Sequence, residues 1–222
     1  LALANDSYAL MSLRDRSFDL FSLPSSVENI QIDIDGRELY FLESGNLYGS
    51  KIEDLPTFLT PSFQADDFEL LREGVTDYAL SSHGTLFFLA GGKLYFKDSD
   101  EGKALLVDHK PGLIDHFTYY PDGSLDLMTV FESADATSGT LLSIADDGTI
   151  KVIGPDVVGE PFLNDDGDAL FVNNEGKVSF YDPKLDVVKT ARGFDGDFEL
   201  LGWFDNFGHF LVRQNQQVIV TD

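Results

Sequence analysis

The stretch Pro161-Phe162-Leu163-Asn164-Asp165-Asp166-Gly167-Asp168-Ala169-Leu170-Phe171 reads as an apolar strand, a polar turn closed by glycine, and a second apolar strand. A glycine after Asp supplies the positive φ that a tight hairpin needs. Residues 30–41, 78–88, 117–127 and 203–211 share this grammar, with turn glycines Gly36, Gly84, Gly123 and Gly208. Including Gly167, the five glycines are 48, 39, 44 and 41 residues apart. A period of that size marks a repeat architecture.

A second punctuation follows. Gly45, Gly92 and Gly176 stand 9, 8 and 9 residues after their turn glycines. Each precedes another strand-like run: Asn46-Leu47-Tyr48, Lys93-Leu94-Tyr95-Phe96 and Lys177-Val178-Ser179-Phe180. Fourth runs are legible at Ala104-Leu105-Leu106-Val107 and Leu185-Asp186-Val187-Val188. Four short strands in roughly 43 residues is the spacing of a propeller blade. The expected fold is therefore all-β, a β-propeller of about five four-stranded blades forming a single domain over residues 1–222. Helical periodicity is confined to Asp66-Asp67-Phe68-Glu69-Leu70-Leu71-Arg72, where a short helical turn capped by Asp66 is expected.

The last repeat stops after its third strand, at Val218-Ile219-Val220. The runs Tyr8-Ala9-Leu10-Met11 and Phe18-Asp19-Leu20-Phe21 precede the first complete repeat. A sheet edge left open is a hazard, so residues 1–23 are expected to close the last blade; the alternative makes them the remnant of a sixth. The chain begins with Leu1, as a processed protein or a domain excised from a longer one would.

Composition narrows the function. Hydrophobic residues at 43% and aromatics at 13% are too many for disorder. The longest apolar runs, such as residues 86–90, are too short to insert in a membrane. No cysteine is present, which excludes disulfides, thiolate metal sites and cysteine nucleophiles. With 39 acidic against 15 basic residues, the net charge of −24 repels a phosphate backbone and argues against nucleic acid as a partner.

The strand, Asp-Gly, strand grammar resembles the TolB type of propeller repeat, whose usual signature is Ser-Pro-Asp-Gly before an apolar strand. Tyr120-Pro121-Asp122-Gly123, followed by Leu125 and Leu127, carries the likeness best. Looser versions run from Ile34-Asp35-Gly36 to Tyr40-Phe41 and from Asp166-Gly167 to Leu170-Phe171. The resemblance implies a periplasmic or extracellular scaffold or sensor domain that binds other proteins. It implies no catalytic residues.

Gly-x-Gly-x-x-Gly, phosphate-loop, His-Glu-x-x-His and Gly-x-Ser-x-Gly motifs are all missing. His83 and His209 flank turn glycines, while His109 and His116 bracket the connection Lys110-Pro111-Gly112. Asp33-Ile34-Asp35-Gly36 echoes a calcium loop, but Gln31 and Leu42 occupy two required ligand positions. The Asn164–Asp168 turn is crowded with oxygen ligands, so a weak calcium site is the one cofactor the acidic turns suggest; otherwise none is expected. Trp203 suits an inter-blade aromatic or a stacking platform for a ligand.

The third repeat carries an extra segment, residues 132–139, between its second and third strands, and loops are where binding settles. In a propeller such a loop shares a face with the connections between blades. The candidate binding residues are accordingly Glu132, Asp135, Thr137, His109 and Trp203, with no catalytic residues. Two functions remain open: a non-enzymatic scaffold or sensor that binds a protein partner, and a hydrolase acting on glycans or esters with axial carboxylates or a metal.

Overall fold

A computed structural model describes residues 2–3, 7–11, 18–33, 38–52, 67–81, 84–97, 104–106, 113–121, 126–145, 149–191, 194, 197–205 and 208–221; apart from 3₁₀ turns at Ile52 and Asp67, every regular element among them is a β-strand. β1 (Ala2–Leu3), β2 (Ser7–Met11) and β3 (Phe18–Ser22) form a three-stranded sheet. β4 (Val27–Ile32), β5 (Glu38–Glu43), β6 (Asn46–Lys51) and β7 (Glu69–Glu73) form a four-stranded sheet in sequence order. So do β8 (Val75–Leu80), β9 (Leu86–Ala90), β10 (Lys93–Lys97) and β11 (Ala104–Leu106). Seven strands share the next sheet: β12 (His116–Pro121), β13 (Asp126–Phe131), β14 (Ser138–Ile144), β15 (Ile150–Leu163), β16 (Ala169–Asn173), β17 (Val178–Asp182) and β18 (Val187–Thr190). β19 (Glu199–Trp203), β20 (Phe210–Gln214) and β21 (Gln217–Thr221) make the last, three-stranded sheet.

The positions of the five turn glycines all fall between the first and second strands of a repeat, at β4/β5, β8/β9, β12/β13, β15/β16 and β19/β20. Gly36 and Gly123 lie outside the described residues, whereas Gly84, Gly167 and Gly208 have φ of +85°, +83° and +94°. Two turns show the shared wiring. The Asn164 N–H donates to the Asp168 carbonyl (3.2 Å) and the Gly167 N–H to the Asn164 carbonyl (3.0 Å). Ser81 repeats this with Thr85 (2.8 Å) and Gly84 (3.2 Å). The side chain of the first residue completes the turn: Asn164 Oδ1 accepts from the backbone of Asp166 (3.0 Å) and Asp168 (2.9 Å), and Ser81 Oγ from Thr85 (3.0 Å). A short polar side chain at one end and a left-handed residue at the other are what such a turn requires. The crowding of Asn and Asp in the repeat is thereby explained.

The chain divides into two compact units, residues 1–91 with 97–104, and residues 92–96 with 105–222. In the first, Leu23, Leu39, Phe41 and Phe68 form a core in which the Phe68 ring meets Phe41 edge-on at 4.8 Å. The opening strands of successive repeats are tied by side chains: Asn29 Nδ2 on β4 donates to the Tyr78 carbonyl (3.3 Å), and Gln31 Oε1 accepts from the Leu80 N–H (2.9 Å). In the second unit β16 packs both faces. Ala169 and Phe171 join Leu127, Leu141 and Val157, while Leu170 joins Val178, Phe210 and Val212. Within the second unit the fourth repeat thus buries one face against the third and the other against the fifth, the stacking expected of blades.

Three expectations need correction. Residues 1–23 were expected to supply an outer strand to the last repeat, yet their strands pair with one another: Ser7–Met11 runs antiparallel to Phe18–Ser22, Tyr8 opposite Phe21. Adjacent apolar runs joined by a short link find each other first, because closing a local hairpin costs less entropy than a long-range pairing. Of the helical turn expected at 66–72, Asp66 lies outside the described residues and Asp67 belongs to a 3₁₀ turn, but Glu69–Glu73 is strand β7, whose Leu70 and Arg72 pair with Tyr48 and Leu47. Third, separate four-stranded blades hold for only part of the chain. β12–β15 and β15–β18 are each four strands, but they share β15. Val157 and Val158 have β14 partners on one side and β16 partners on the other, and Asp156 (φ +53°) and Gly159 (φ +72°) bend the strand there.

Candidate functional site

The described residues enclose an open cleft of about 840 Å³ in the second unit, lined by three segments. The bend of β15 supplies Val158 to Phe162, the β16–β17 turn supplies Asn173, Asn174 and Gly176, and the approach to β19 supplies Asp197 and Phe198. These are connections between repeats and a second-to-third-strand turn. Such segments share one face of a propeller-type sheet stack.

The floor is apolar and held in place. Phe162 keeps 37% of its surface exposed, and the indole N–H of Trp203 donates to its carbonyl at 2.9 Å. Gly202 (φ +119°) lets β19 come this close, since a Cβ there would lie 3.0 Å from the Phe162 ring. Phe198 is backed by Phe194, ring centroids 4.9 Å apart. The rim is polar. Asn174 donates its N–H to the Asp156 carbonyl (2.8 Å), fixing the turn against β15. Asn173 Oδ1 accepts from the backbone of Glu175 (3.1 Å) and Lys177 (2.9 Å). The Lys177 ammonium is engaged by Glu175, whose carboxyl it holds below the usual range. Glu160 and Asp197 have no ion-pair partner among the described residues.

The residues singled out in the sequence meet this cleft in part. Glu132, Asp135 and Thr137 are exposed on the loop between β13 and β14, where Ser133 Oγ donates to Asp135 (2.9 Å). Ser138, next in the chain, pairs with Val158, so that loop runs directly to the cleft wall. Trp203 stands behind the wall as a pin, edge-on to Phe180 at 6.4 Å. His109 and His83 lie outside the described residues. His116 stacks on Phe131 (4.4 Å) and pairs with Asp115 (3.1 Å), and His209 pairs with Asp205 (2.8 Å). In the acidic turn, Asp168 accepts from Asn164 Nδ2 (2.9 Å) and Asp166 pairs with Lys184. Among the described residues no group of three or more His, Asp or Glu side chains is placed to hold a metal ion.

Glu160, Phe162, Asn173, Asn174, Asp197 and Phe198 were not singled out by sequence. Gly176 carried a turn signal, but only the bend of β15 brings the β16–β17 turn to the same cleft as Glu160.

No family model and no curated protein matches the chain. Solved structures do. An oligogalacturonate lyase from Vibrio parahaemolyticus aligns with 96% of this chain and 70% of its own at 13% identity, TM-score 0.50. The dihydro-heme d1 dehydrogenase NirN aligns over 94% and 46% at 13% identity, TM-score 0.50. TolB from Acinetobacter baumannii aligns over 93% and 59% at 14% identity, TM-score 0.43. The chain therefore spans about three fifths of the TolB chain and under half of NirN. Likeness at this identity is likeness of fold: the chain is all-β with propeller-type neighbours, and the TolB-type resemblance read from its Asp-Gly turns holds at that level.

Proposed function

We propose that this is a non-enzymatic binding domain, a scaffold or sensor module, whose cleft takes an extended segment of a partner protein bearing a basic side chain next to an apolar one. The observation that carries the reading is that two carboxylates without an ion-pair partner among the described residues, Glu160 and Asp197, line the same cleft as an apolar floor of Phe162, Phe198 and Leu200. A cation sits well between such carboxylates, and an apolar neighbour removes ring surface from water. The loop of Glu132, Asp135 and Thr137 leads to the same wall and adds acidic reach. A net charge of −24 steers a basic partner toward it and sets the association rate more than the affinity. The reading places the domain in the periplasm or outside the cell and requires no cofactor. Calcium titration is the control for the acidic turn at Asn164.

The test begins with capture of a partner from the native source, followed by affinity measurements on the double variant Glu160→Gln, Asp197→Asn. Binding weakened tenfold or more, with slower association at high salt and unchanged folding, is the expected result. Undiminished binding would remove the cleft from the reading. The alternative, a hydrolase of glycans or esters, predicts turnover of such substrates that a single carboxylate substitution abolishes, and that result would replace the binding-domain reading.

A further inference from the structure

The cleft of the second unit receives the same pair of groups from two segments. The bend of β15 brings Glu160 and, two residues on, Phe162; the approach to β19 brings Asp197 and Phe198. Both rings are held in place. Phe162 lies against Gly202, and its carbonyl takes the Trp203 indole N–H at 2.9 Å. Phe198 rests on Phe194, and the β16–β17 turn comes up to its edge, where a Cβ on Gly176 (φ +72°) would lie 4.0 Å from the ring. That turn adds Asn174, whose side-chain amide has no hydrogen-bond partner among the described residues. Val158, Val172 and Leu200 extend the apolar lining.

We infer that the cation this cleft takes is the guanidinium of an arginine in the partner segment, selected over lysine by stacking on Phe162 and Phe198. The selection presupposes the partner-binding role proposed for the cleft. Carboxylates alone do not discriminate, because lysine and arginine carry the same charge and both pair with an oxygen anion. Aromatic faces do. A guanidinium is planar and weakly hydrated, so it lies flat on a ring while the N–H groups at its edge reach carboxylates. An ammonium is compact and strongly hydrated; it must give up water to meet a ring, and its three donors do not share a plane. A carboxylate and a ring arriving together on both segments are what reward the planar ion. The Asn174 carboxamide oxygen is a further acceptor for a cation that carries five donors. The aliphatic stem of the arginine and the apolar residue beside it cover Val158, Val172 and Leu200.

Trp203 is the single tryptophan of the chain and pins Phe162, so its emission reads the cleft wall in the unmodified protein. The probes are acetyl-Leu-Arg-Leu-amide, its lysine and citrulline counterparts, and free arginine, each titrated into the full chain by calorimetry. The arginine peptide should bind roughly tenfold tighter than the lysine peptide and shift the Trp203 emission. The citrulline peptide, planar but neutral, should bind more weakly than either, and free arginine more weakly than its peptide. Phe162→Leu combined with Phe198→Leu keeps the floor apolar and removes the aromatic faces. In that variant the arginine preference should fall to within about twofold while the lysine peptide keeps its affinity. Emission of the free variant matching that of the parent shows the wall intact. Equal binding of the arginine and lysine peptides to the parent overturns the inference and leaves the partner-binding reading standing. So does an arginine preference that survives the double leucine variant. Free arginine binding as tightly as its peptide would make the cleft a receptor for the amino acid, against a partner segment. Failure of every peptide to bind at millimolar concentration would overturn the partner-binding reading and the inference with it.

Discussion

β13 and β21 are both apolar strands, Asp-Leu-Met-Thr-Val-Phe and Gln-Val-Ile-Val-Thr, and they meet opposite fates. In β13 the first five residues are buried on both faces, with β12 on one side and β14 on the other. Even Asp126 is buried there, accepting a hydrogen bond from the Tyr119 hydroxyl at 2.7 Å. β21 has a partner only in β20 among the described residues, and its first four residues are exposed. Rank within the repeat, more than hydrophobicity, decides burial. β13 is flanked by strands on both sides, whereas β7, β18 and β21 pair on one side only among the described residues and are largely exposed.

The contrast can be broken by substitution. Leu127→Ala in β13 removes a fully buried side chain from the cluster around Phe171 and should cost about 2–5 kcal/mol, measured by denaturant unfolding. A loss below about 1 kcal/mol would mean that the centre of the repeat is loosely packed. Between the extremes lies Tyr78 of β8, buried to 2% exposure, whose hydroxyl faces the carbonyl oxygens of Asn29 and Tyr40, the latter at 2.9 Å. Tyr78→Phe leaves those acceptors without their donor and should cost about 1–3 kcal/mol. It should also change the alkaline limb of stability. Burial pushes the Tyr78 and Tyr40 hydroxyl pKa values up, so both stay protonated in the fold when the unfolded chain begins to ionise near pH 10. Their contribution is complete below that pH and is lost as pH rises further. Unfolding followed from pH 9 to about 11 should show a shallower decline for Tyr78→Phe than for the parent chain. An identical slope would place the titration elsewhere. The smallest effect is expected at Val220→Thr, within about 0.5 kcal/mol, because that side chain is half exposed.

The legible part of the fold was the part written in turns. Gly84, Gly167 and Gly208 have the positive φ that the Asp-Gly grammar implies, and Gly45, Gly92 and Gly176 mark the second hairpin of their repeats. The loop of Glu132, Asp135 and Thr137 also lies between the second and third strands, as its spacing implied. What the sequence hid depends on partners distant along the chain. Leu70 and Leu71 fit a helical face as well as a strand, and only pairing with β6 settles the choice. The runs at 8–11 and 18–21 are apolar in any arrangement, and nothing in them names the strand they will join. The cleft was hidden for the same reason. Glu160 and Asp197 are ordinary surface carboxylates until the bend at Val157–Gly159 and the pin from Trp203 to Phe162 bring their segments together.

Stacked repeats are usually treated as modules, each with its own stability and a coupling to the next through side-chain contact. β15 removes that separation for the third and fourth repeats, because one unbroken backbone is the last strand of one and the first of the other. Neither repeat can be deleted, duplicated or exchanged by recombination without severing a hydrogen-bonded ladder that belongs equally to its neighbour. For inheritance as for unfolding, the two count as a single indivisible element of double length, and any lineage that varies the number of its repeats must do so elsewhere in the chain.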